Sequence, residues 1–193
     1  MTVCVVTEEQ FDGELIESLL KAKGLEQARV FVGGNRSSAE SLASSLMVVK
    51  QLPVALVLDA EAHDPSKIQS RRRQLEALVG AITSMEEWKL ILMAPELEIL
   101  FFRVPGLLES LGLPAPSSEQ LKIAEYVPGK VLEELVTSGS AKRARNTPWR
   151  QWLMKRFSRL PHDEIWKLEP FAELQRFLIQ VEQASESAAL GDP

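Results

Sequence analysis

Carboxylate side chains follow three of the short apolar segments of this chain, where they could act together on a cation. Close carboxylates repel one another in a partly buried cleft, so such a group needs a cation or a shared proton. Oxygen ligands of this kind suit hard divalent cations such as Mg²⁺ or Mn²⁺, which assist hydrolysis by polarising phosphate oxygens and water. The candidate metal ligands are Glu8, Asp12, Asp59, Glu61 and Glu96.

Several of these acidic positions also have an ordinary structural explanation. Asp12 and Asp64 precede helical patterns and suit helix N-caps. Glu8 and Glu9 suit solvated loop positions, where most surface glutamates are found. Residue type alone therefore leaves both a catalytic cluster and simple caps or loop charges open.

The elements that must position these residues are short apolar strands separated by helical patterns. Residues 3–6, Ala28–Val32, residues 53–59 and Trp88–Met93 predict four strands. Strands and helices that alternate with short connections predict an α/β fold with a mainly parallel sheet flanked by helices. Ligands of such folds bind at the carboxyl ends of the strands. If the first and third strands are neighbours, the acidic residues meet at one edge of the sheet.

The second half of the chain is broken by prolines and then becomes helical, with its last helix beginning at about Pro170. Its apolar residues recur at helical spacing, which predicts helices with one buried face. We therefore predict an α/β domain over residues 1–105, a helical extension over 106–185 that packs on it, and a flexible tail over 186–193.

Composition excludes several function classes. The 193 residues include 22 basic and 27 acidic side chains, and the net charge of −5 disfavours a protein that coats nucleic acid through bulk positive charge. A single cysteine, Cys4, excludes an intrachain disulfide and a thiolate metal cluster, and two histidines exclude a three-histidine zinc site. The sequence has no secretory signal pattern and no apolar stretch of roughly 20 residues, so we expect a cytoplasmic protein without membrane contact.

The positive charge is concentrated in one segment. Residues 141–160 hold seven of the 22 basic residues and no acidic one, which leaves 15 basic and 27 acidic residues elsewhere, a net charge of −12. Trp149, Trp152 and Phe157 interleave with these charges. The pattern fits a surface that binds nucleic-acid phosphates, and it equally fits an amphipathic helix with aromatic residues inward and solvated charges outward. The candidate nucleic-acid-binding residues are Lys142, Arg143, Arg145, Arg150, Lys155 and Arg156.

Two acidic segments taken together resemble the Toprim domain, the catalytic core of primases, topoisomerases and OLD-type nucleases. The segment VVTEEQFD, which starts at Val5, resembles the family's strand that ends in a glutamate. The segment LVLDAE, which starts at Leu56, resembles its later strand that ends in Asp-x-Asp. The resemblance covers roughly the first hundred residues, including the order of strands and helices. This chain departs from the family pattern at Glu9, where glycine is common, and at Glu61, where the second aspartate is expected.

The resemblance implies a role for each matching carboxylate. Glu8 takes the place of the acid/base glutamate, and Asp59 and Glu61 take the places of the magnesium-binding aspartates, so these three are the implied catalytic residues. Asp12 and Glu96 match further acidic positions of OLD-like and small standalone members.

The resemblance also implies an activity and a partner. Some small standalone members are encoded beside ABC-type ATPases in bacterial defence systems. It therefore implies a Mg²⁺-dependent nuclease subunit that hydrolyses DNA or RNA phosphodiesters and acts with a separate ABC/OLD-type ATPase in anti-phage defence. The ATPase would be another chain, because this sequence has no Gly-x-x-x-x-Gly-Lys-Ser/Thr motif.

Two other interpretations remain open on the sequence alone. The departures at Glu9 and Glu61 favour a catalytically decayed Toprim-like module that serves as a binding or regulatory subunit. Asp59 at the end of a central strand would also suit a flavodoxin-like or receiver-like phosphate-binding domain. A receiver-type site would want a lysine after the fourth strand, where Met93, Ala94 and Pro95 stand instead.

Overall fold

A computed structural model describes residues 2–80, 88–139 and 147–190. It confirms the expected α/β fold, with a four-stranded, all-parallel sheet flanked by helices and followed by further helices. The strands occur where the apolar runs predict them, and their order in the sheet is β2-β1-β3-β4. Their bounds are β1 (Val3–Thr7), β2 (Ala28–Val32), β3 (Val54–Asp59) and β4 (Trp88–Met93).

The strand register brings the carboxyl ends of the strands to one edge of the sheet. Thr7, the last residue of β1, pairs with Val32 on one side and with Val57 on the other. Asp59, the last residue of β3, pairs with Met93 at the end of β4. The first and third strands are therefore neighbours, and the loops that follow them meet at the same edge, called here the carboxyl edge.

Helices surround the sheet and make up most of the second half of the chain. Short 3₁₀ turns lie at Leu97–Ile99 and Ile165–Lys167. In the part of the chain that the structure describes, the α-helices are α1 (Gln10–Lys23), α2 (Arg36–Val48), α3 (Pro65–Gly80), α4 (Leu100–Arg103), α5 (Leu107–Ser110), α6 (Ser118–Ala124), α7 (Pro128–Gly139), α8 (Trp149–Phe157) and α9 (Glu169–Leu190).

Each face of the sheet is covered by a different set of helices. Alternate residues of a strand point to opposite faces, so Val6 and Leu56 pack with apolar residues of α2 and α3. Val5 and Val57 face the other way, into a larger cluster that includes α1 and apolar residues of helices α4 to α9. The helices of the second half are thus packed directly on the sheet, and the two central strands, β1 and β3, have buried apolar residues on both faces, as is typical of parallel sheets.

The sequence left open whether Asp12 and Asp64 are helix caps or part of an acidic cluster, and the structure gives a different answer for each. Asp64 does cap α3, because its Oδ1 accepts hydrogen bonds from the backbone N–H groups of Ser66 at 2.8 Å and Lys67 at 3.1 Å. Asp12 is not the N-cap of α1: the cap is Glu9, and the Asp12 carboxylate accepts the Glu9 N–H at 3.2 Å from inside the first turn. The helix begins earlier than the apolar pattern suggested because Gln10 and Phe11 extend its first turn.

The last helix continues to Leu190, five residues into the segment assigned from sequence to a tail. Across the described ranges, none of the helices combines the length and the hydropathy that crossing a bilayer requires.

Candidate active site

Glu8 and Asp59 lie next to each other at the carboxyl edge, as the pairing of β1 with β3 requires. The Glu8 side chain is 13% exposed, and its Oε1 accepts the backbone N–H of Asp59 at 3.3 Å. This contact links the loop after β1 to the end of β3. Glu8 and Asp59, two of the three implied catalytic residues, therefore lie side by side.

Arg36, the first residue of α2, binds two of the three glutamates proposed from sequence, Glu8 and Glu61. Its Nε and Nη2 donate to Oε1 of Glu8 at 3.0 and 2.7 Å, and its Nη1 donates to Oε2 of Glu61 at 2.9 Å. Nη2 also donates to the backbone carbonyl of Asp59 at 2.6 Å. The Arg36 side chain is only 17% exposed, so the guanidinium is a cation held inside the carboxyl edge.

A tight turn after β2 explains why Arg36 reaches this position. The backbone N–H groups of Gly33 and Gly34 donate to the carbonyls of Thr7 at 2.9 Å and Glu8 at 2.8 Å, which ties the turn to the end of β1. Gly34 has a φ of 86°, a conformation that glycine adopts without steric penalty. Asn35 then caps α2 by accepting the N–H of Ser38 at 2.9 Å.

A second group of carboxyls is buried beside the first. Asp59 has a pKa raised to about 9, first by burial and then by repulsion from Asp12 and Glu98, although the Leu97 N–H donates to its Oδ1 at 2.8 Å. Burial, followed by repulsion from Glu98, raises the pKa of Asp12 to about 7. Burial also raises the pKa of Glu98, whose side chain is 5% exposed. Asp12, Asp59 and Glu98, the buried carboxyl group of this site, therefore resist ionisation together.

Glu98 was missed from sequence, where Glu96 was named instead. The Glu96 carboxylate accepts the backbone N–H of Gly129 at 3.2 Å, at the start of α7. The 3₁₀ turn Leu97–Ile99 directs Glu98 inward, toward Asp12 and Asp59. The sequence shows a glutamate on each side of Leu97, and only the geometry of the turn shows that Glu98 is the buried one.

Glu61 occupies the outer rim of the site. Its side chain is 64% exposed and binds Arg36 and, at 3.5 Å, Nη2 of Arg71. The backbone of Glu61 has a φ of 51°, unusual for a residue with a Cβ atom, and its N–H donates to the Pro95 carbonyl at 2.9 Å. The second of the implied magnesium ligands is thus engaged by arginines.

The basic segment contributes a second arginine to the acidic edge. Nη1 of Arg150 lies 2.6 Å from Oε2 of Glu9, and Nη2 lies 3.5 Å from Oε1 of Glu98. The guanidinium also stacks over the rings of Phe11 and Trp149, with centroid distances of 5.0 and 5.3 Å. The N-terminal end of α8 is therefore attached to the site by charge and by aromatic contact.

The remaining basic candidates divide between surface positions and segments that are not described. Lys155 is exposed on α8. Arg156 donates to the Leu111 carbonyl at 3.1 Å and lies 4.4 Å above the Trp152 ring. A surface pocket joins these residues with Arg159. Three further candidates, Lys142, Arg143 and Arg145, lie outside the described residues.

Comparison with known proteins identifies no relative of this chain. No family model, curated protein or solved structure matches this chain. The functional assignment therefore rests on the chemistry of the carboxyl edge.

The donor atoms at this edge suit a hard divalent cation, although they are not arranged around one. In residues 2–80, 88–139 and 147–190, no three His, Cys, Asp or Glu side chains are grouped to hold a metal ion. The buried carboxyl group nevertheless supplies oxygen ligands whose mutual repulsion a cation would relieve. Arg36 lies between Glu8 and Glu61, where a cation would lie if both were ligands. The chemistry of the donor set fits Mg²⁺, and the guanidinium is its present counter-charge.

Proposed function

We propose that this chain is a Toprim-like, Mg²⁺- or Mn²⁺-dependent nuclease subunit that hydrolyses nucleic-acid phosphodiesters. The observation that carries this proposal is that Asp12 and Glu98, both buried, lie with the half-buried Asp59 at the carboxyl edge, where burial and mutual repulsion raise the pKa of Asp59. Carboxyls kept out of water side by side are unfavourable for a protein that has no use for a cation at that place, because ionising a group with a raised pKa costs about 1.4 kcal/mol for each pKa unit. Perturbed carboxyls in a cleft are typical of functional sites.

Each side chain has a part in this proposal. Asp59 would hold the metal together with Asp12 and Glu98, and Glu61 would be an outer ligand. When bound, the metal supplies charge that polarises the scissile phosphate and lowers the pKa of water. Glu8, which follows β1, would orient the attacking water or accept its proton, or would itself bind a metal ion. Glu96, named from sequence as a ligand, has its carboxylate on the Gly129 N–H, so we assign the corresponding role to Glu98.

The nucleic-acid substrate is supported by the surface of α8. Lys155 and Arg156 lie beside Trp152, and such basic side chains with an aromatic platform favour phosphates and bases. Action with a separate ABC/OLD-type ATPase in bacterial anti-phage defence is part of the same proposal, and it rests on the resemblance to small standalone Toprim proteins.

The test measures metal binding and cleavage side by side. Purified protein is titrated calorimetrically with Mn²⁺ and incubated with single- and double-stranded DNA and with RNA, in Mg²⁺ or Mn²⁺. Asp59→Asn and Glu8→Gln are compared with Glu17→Gln, the same kind of change at an exposed position of α1. We expect Glu17→Gln to behave as the wild type, and Asp59→Asn and Glu8→Gln to lose at least a hundredfold in cleavage, as loss of a metal ligand or general base does. Absence of metal binding in the wild type, or undiminished cleavage by Asp59→Asn, would show that the nuclease proposal is wrong.

A second candidate function is a catalytically decayed binding or regulatory subunit. The hydrogen bonds of Arg36 to Glu8 and Glu61 favour it, since an arginine can replace a lost metal as the counter-charge of a former site. A decayed site predicts no carboxylate-dependent rise in melting temperature on addition of Mg²⁺ or Mn²⁺, whereas a working site predicts one that Asp59→Asn removes.

A further inference from the structure

The Arg36 guanidinium uses most of its N–H donors in hydrogen bonds at the carboxyl edge. Both of its hydrogen bonds to Glu8 end on the same oxygen, Oε1, which also accepts the Asp59 N–H. A third N–H binds the Asp59 carbonyl and a fourth binds Glu61. This accounts for four of the five N–H donors of an arginine.

These contacts join three separate loops of the fold. Glu8 follows β1, Glu61 follows β3, and Arg36 begins α2 after the turn that Gly33 and Gly34 form. The guanidinium is therefore held by tertiary structure and not by neighbours on its own helix. A partly buried cation in this position attracts the carboxylates that it contacts and repels a second cation.

We propose that Arg36 is an internal competitor of the divalent metal, so that a metal ion binds Glu8 and Glu61 only when the guanidinium leaves them. This inference rests on the proposed metal-dependent function and adds a residue that regulates its metal affinity. Oε1 of Glu8 cannot accept two guanidinium hydrogen bonds and coordinate a metal ion at the same time. Arg36 thus acts as a positioning residue: it keeps Glu8 and Glu61 in place in the metal-free protein and lowers their affinity for the metal.

Competition of this kind has a measurable consequence through linkage. If metal binding must displace the guanidinium, removal of the guanidinium raises metal affinity by the free energy of the displaced contacts. Coupling between two mutually exclusive interactions is typically five- to 150-fold in affinity. We therefore expect Arg36→Gln to bind Mn²⁺ at least tenfold more tightly than the wild type.

Arg71→Gln is the matched control, because Arg71 contacts Glu61 at 3.5 Å but has no contact with Glu8 among the described residues. Calorimetric titration with Mn²⁺ is carried out on the wild type, Arg36→Gln, Arg36→Lys and Arg71→Gln. Arg36→Lys keeps a cation with fewer donors, so its affinity should lie between those of Arg36→Gln and the wild type. Arg71→Gln should stay within about threefold of the wild type, since it removes one exposed contact.

A measurement on the unmutated protein guards against misfolding of the variants. The Nε–H proton of Arg36 gives a side-chain NMR signal that depends on its hydrogen bond to Glu8. Mg²⁺ should shift this signal, with the same midpoint as a calorimetric titration of the wild type with Mg²⁺. An unchanged Arg36 signal at saturating metal, or equal Mn²⁺ affinities in the wild type and a folded Arg36→Gln variant, would overturn the competition while leaving the metal site standing. If neither the wild type nor Arg36→Gln binds Mn²⁺, both the competition and the proposed metal-dependent function are wrong.

Discussion

The buried carboxyl group at the carboxyl edge makes stability depend on pH in an unusual direction. Asp59 has a pKa of about 9 in the folded protein and an ordinary value of 3.8 when exposed. Between these values the unfolded chain has an ionised Asp59, whereas the folded chain keeps it protonated. The contribution of Asp59 to the free energy of unfolding is therefore greatest at low pH. It decreases as pH rises toward 9, by at most about 1.4 kcal/mol per pH unit.

Asp59→Asn should therefore stabilise the protein, by on the order of 1–3 kcal/mol at pH 8 and by less at pH 5. Asparagine cannot ionise, and its side-chain oxygen can still accept the Leu97 N–H. The measurement is the free energy of unfolding in urea at both pH values, with Asp163→Asn, whose side chain is 77% exposed, as the control. A loss of stability in Asp59→Asn that is equal at pH 5 and pH 8 would contradict this account.

Individual site residues were predictable from sequence only where they directly end a strand. Glu8 and Asp59 follow apolar runs, so their meeting at the carboxyl edge could be deduced once β1 and β3 were taken as neighbours. Arg36 could not be found in this way, because its role depends on the turn that ties β2 to β1. The inward position of the Glu98 side chain likewise depends on a 3₁₀ turn, which no periodicity in the sequence predicts.

At the scale of elements, the turn between β2 and α2 determines the position of the arginine. A Cβ atom on Gly33 would lie 2.4 Å from the backbone N of Ala39, so no larger residue fits without moving α2. Since α2 begins with Arg36, any such movement also displaces the guanidinium from Glu8.

We expect Gly33→Ala to lower the free energy of unfolding by about 1–3 kcal/mol, as overpacking does, and to change the NMR signal of the Arg36 Nε–H. Gly24→Ala is the control: Gly24 ends α1 with a φ of 74° and has nothing within 4 Å of its added Cβ. Its cost should be about 1–2 kcal/mol from backbone conformation alone, with the Arg36 signal unchanged. If both variants leave that signal in place, the turn does not position Arg36.

The strands were the most predictable elements, and the connection after β4 the least. Each strand is a short β-branched or aliphatic run with turn residues beside it, and β2 and β4 have the predicted bounds. After Pro95 the chain forms a 3₁₀ turn followed by the one-turn helix α4. Short turns of this kind are determined by tertiary contacts, such as the Leu97 N–H to Asp59, and not by a local pattern.

The whole molecule is organised around a hydrophobic cluster that joins the sheet to the second half of the chain. Val5 and Val57 of the sheet share this cluster with Leu132 of α7 and Phe157 of α8, all at most 3% exposed. The sequence correctly predicted a sheet with helices following it. It could not show how intimately the two parts are joined, because contacts between distant segments leave no periodic signal.

A chain that ends at residue 105 should therefore fail to unfold cooperatively, whereas the full chain should give a single thermal transition. The truncation uncovers the sheet face that carries Val5 and Val57, and exposed apolar surface of that size binds hydrophobic dyes. Calorimetry and dye fluorescence provide the measurement. A chain that ends at residue 186 is the control, because it retains the apolar residues of α9 up to Val181. A cooperative transition in the fragment 1–105 would show that the sheet domain folds independently.

The buried carboxyl group also has a consequence for how such a sequence changes over generations. An aspartate codon becomes an asparagine codon by one base substitution, and at Asp59 that substitution should increase stability. Most proteins lie close above the stability that they need, so a lineage released from its function would accumulate such changes freely. The retention or loss of Asp12, Asp59 and Glu98 among descendants of one ancestor would thus distinguish lineages with a working site from lineages with a decayed one.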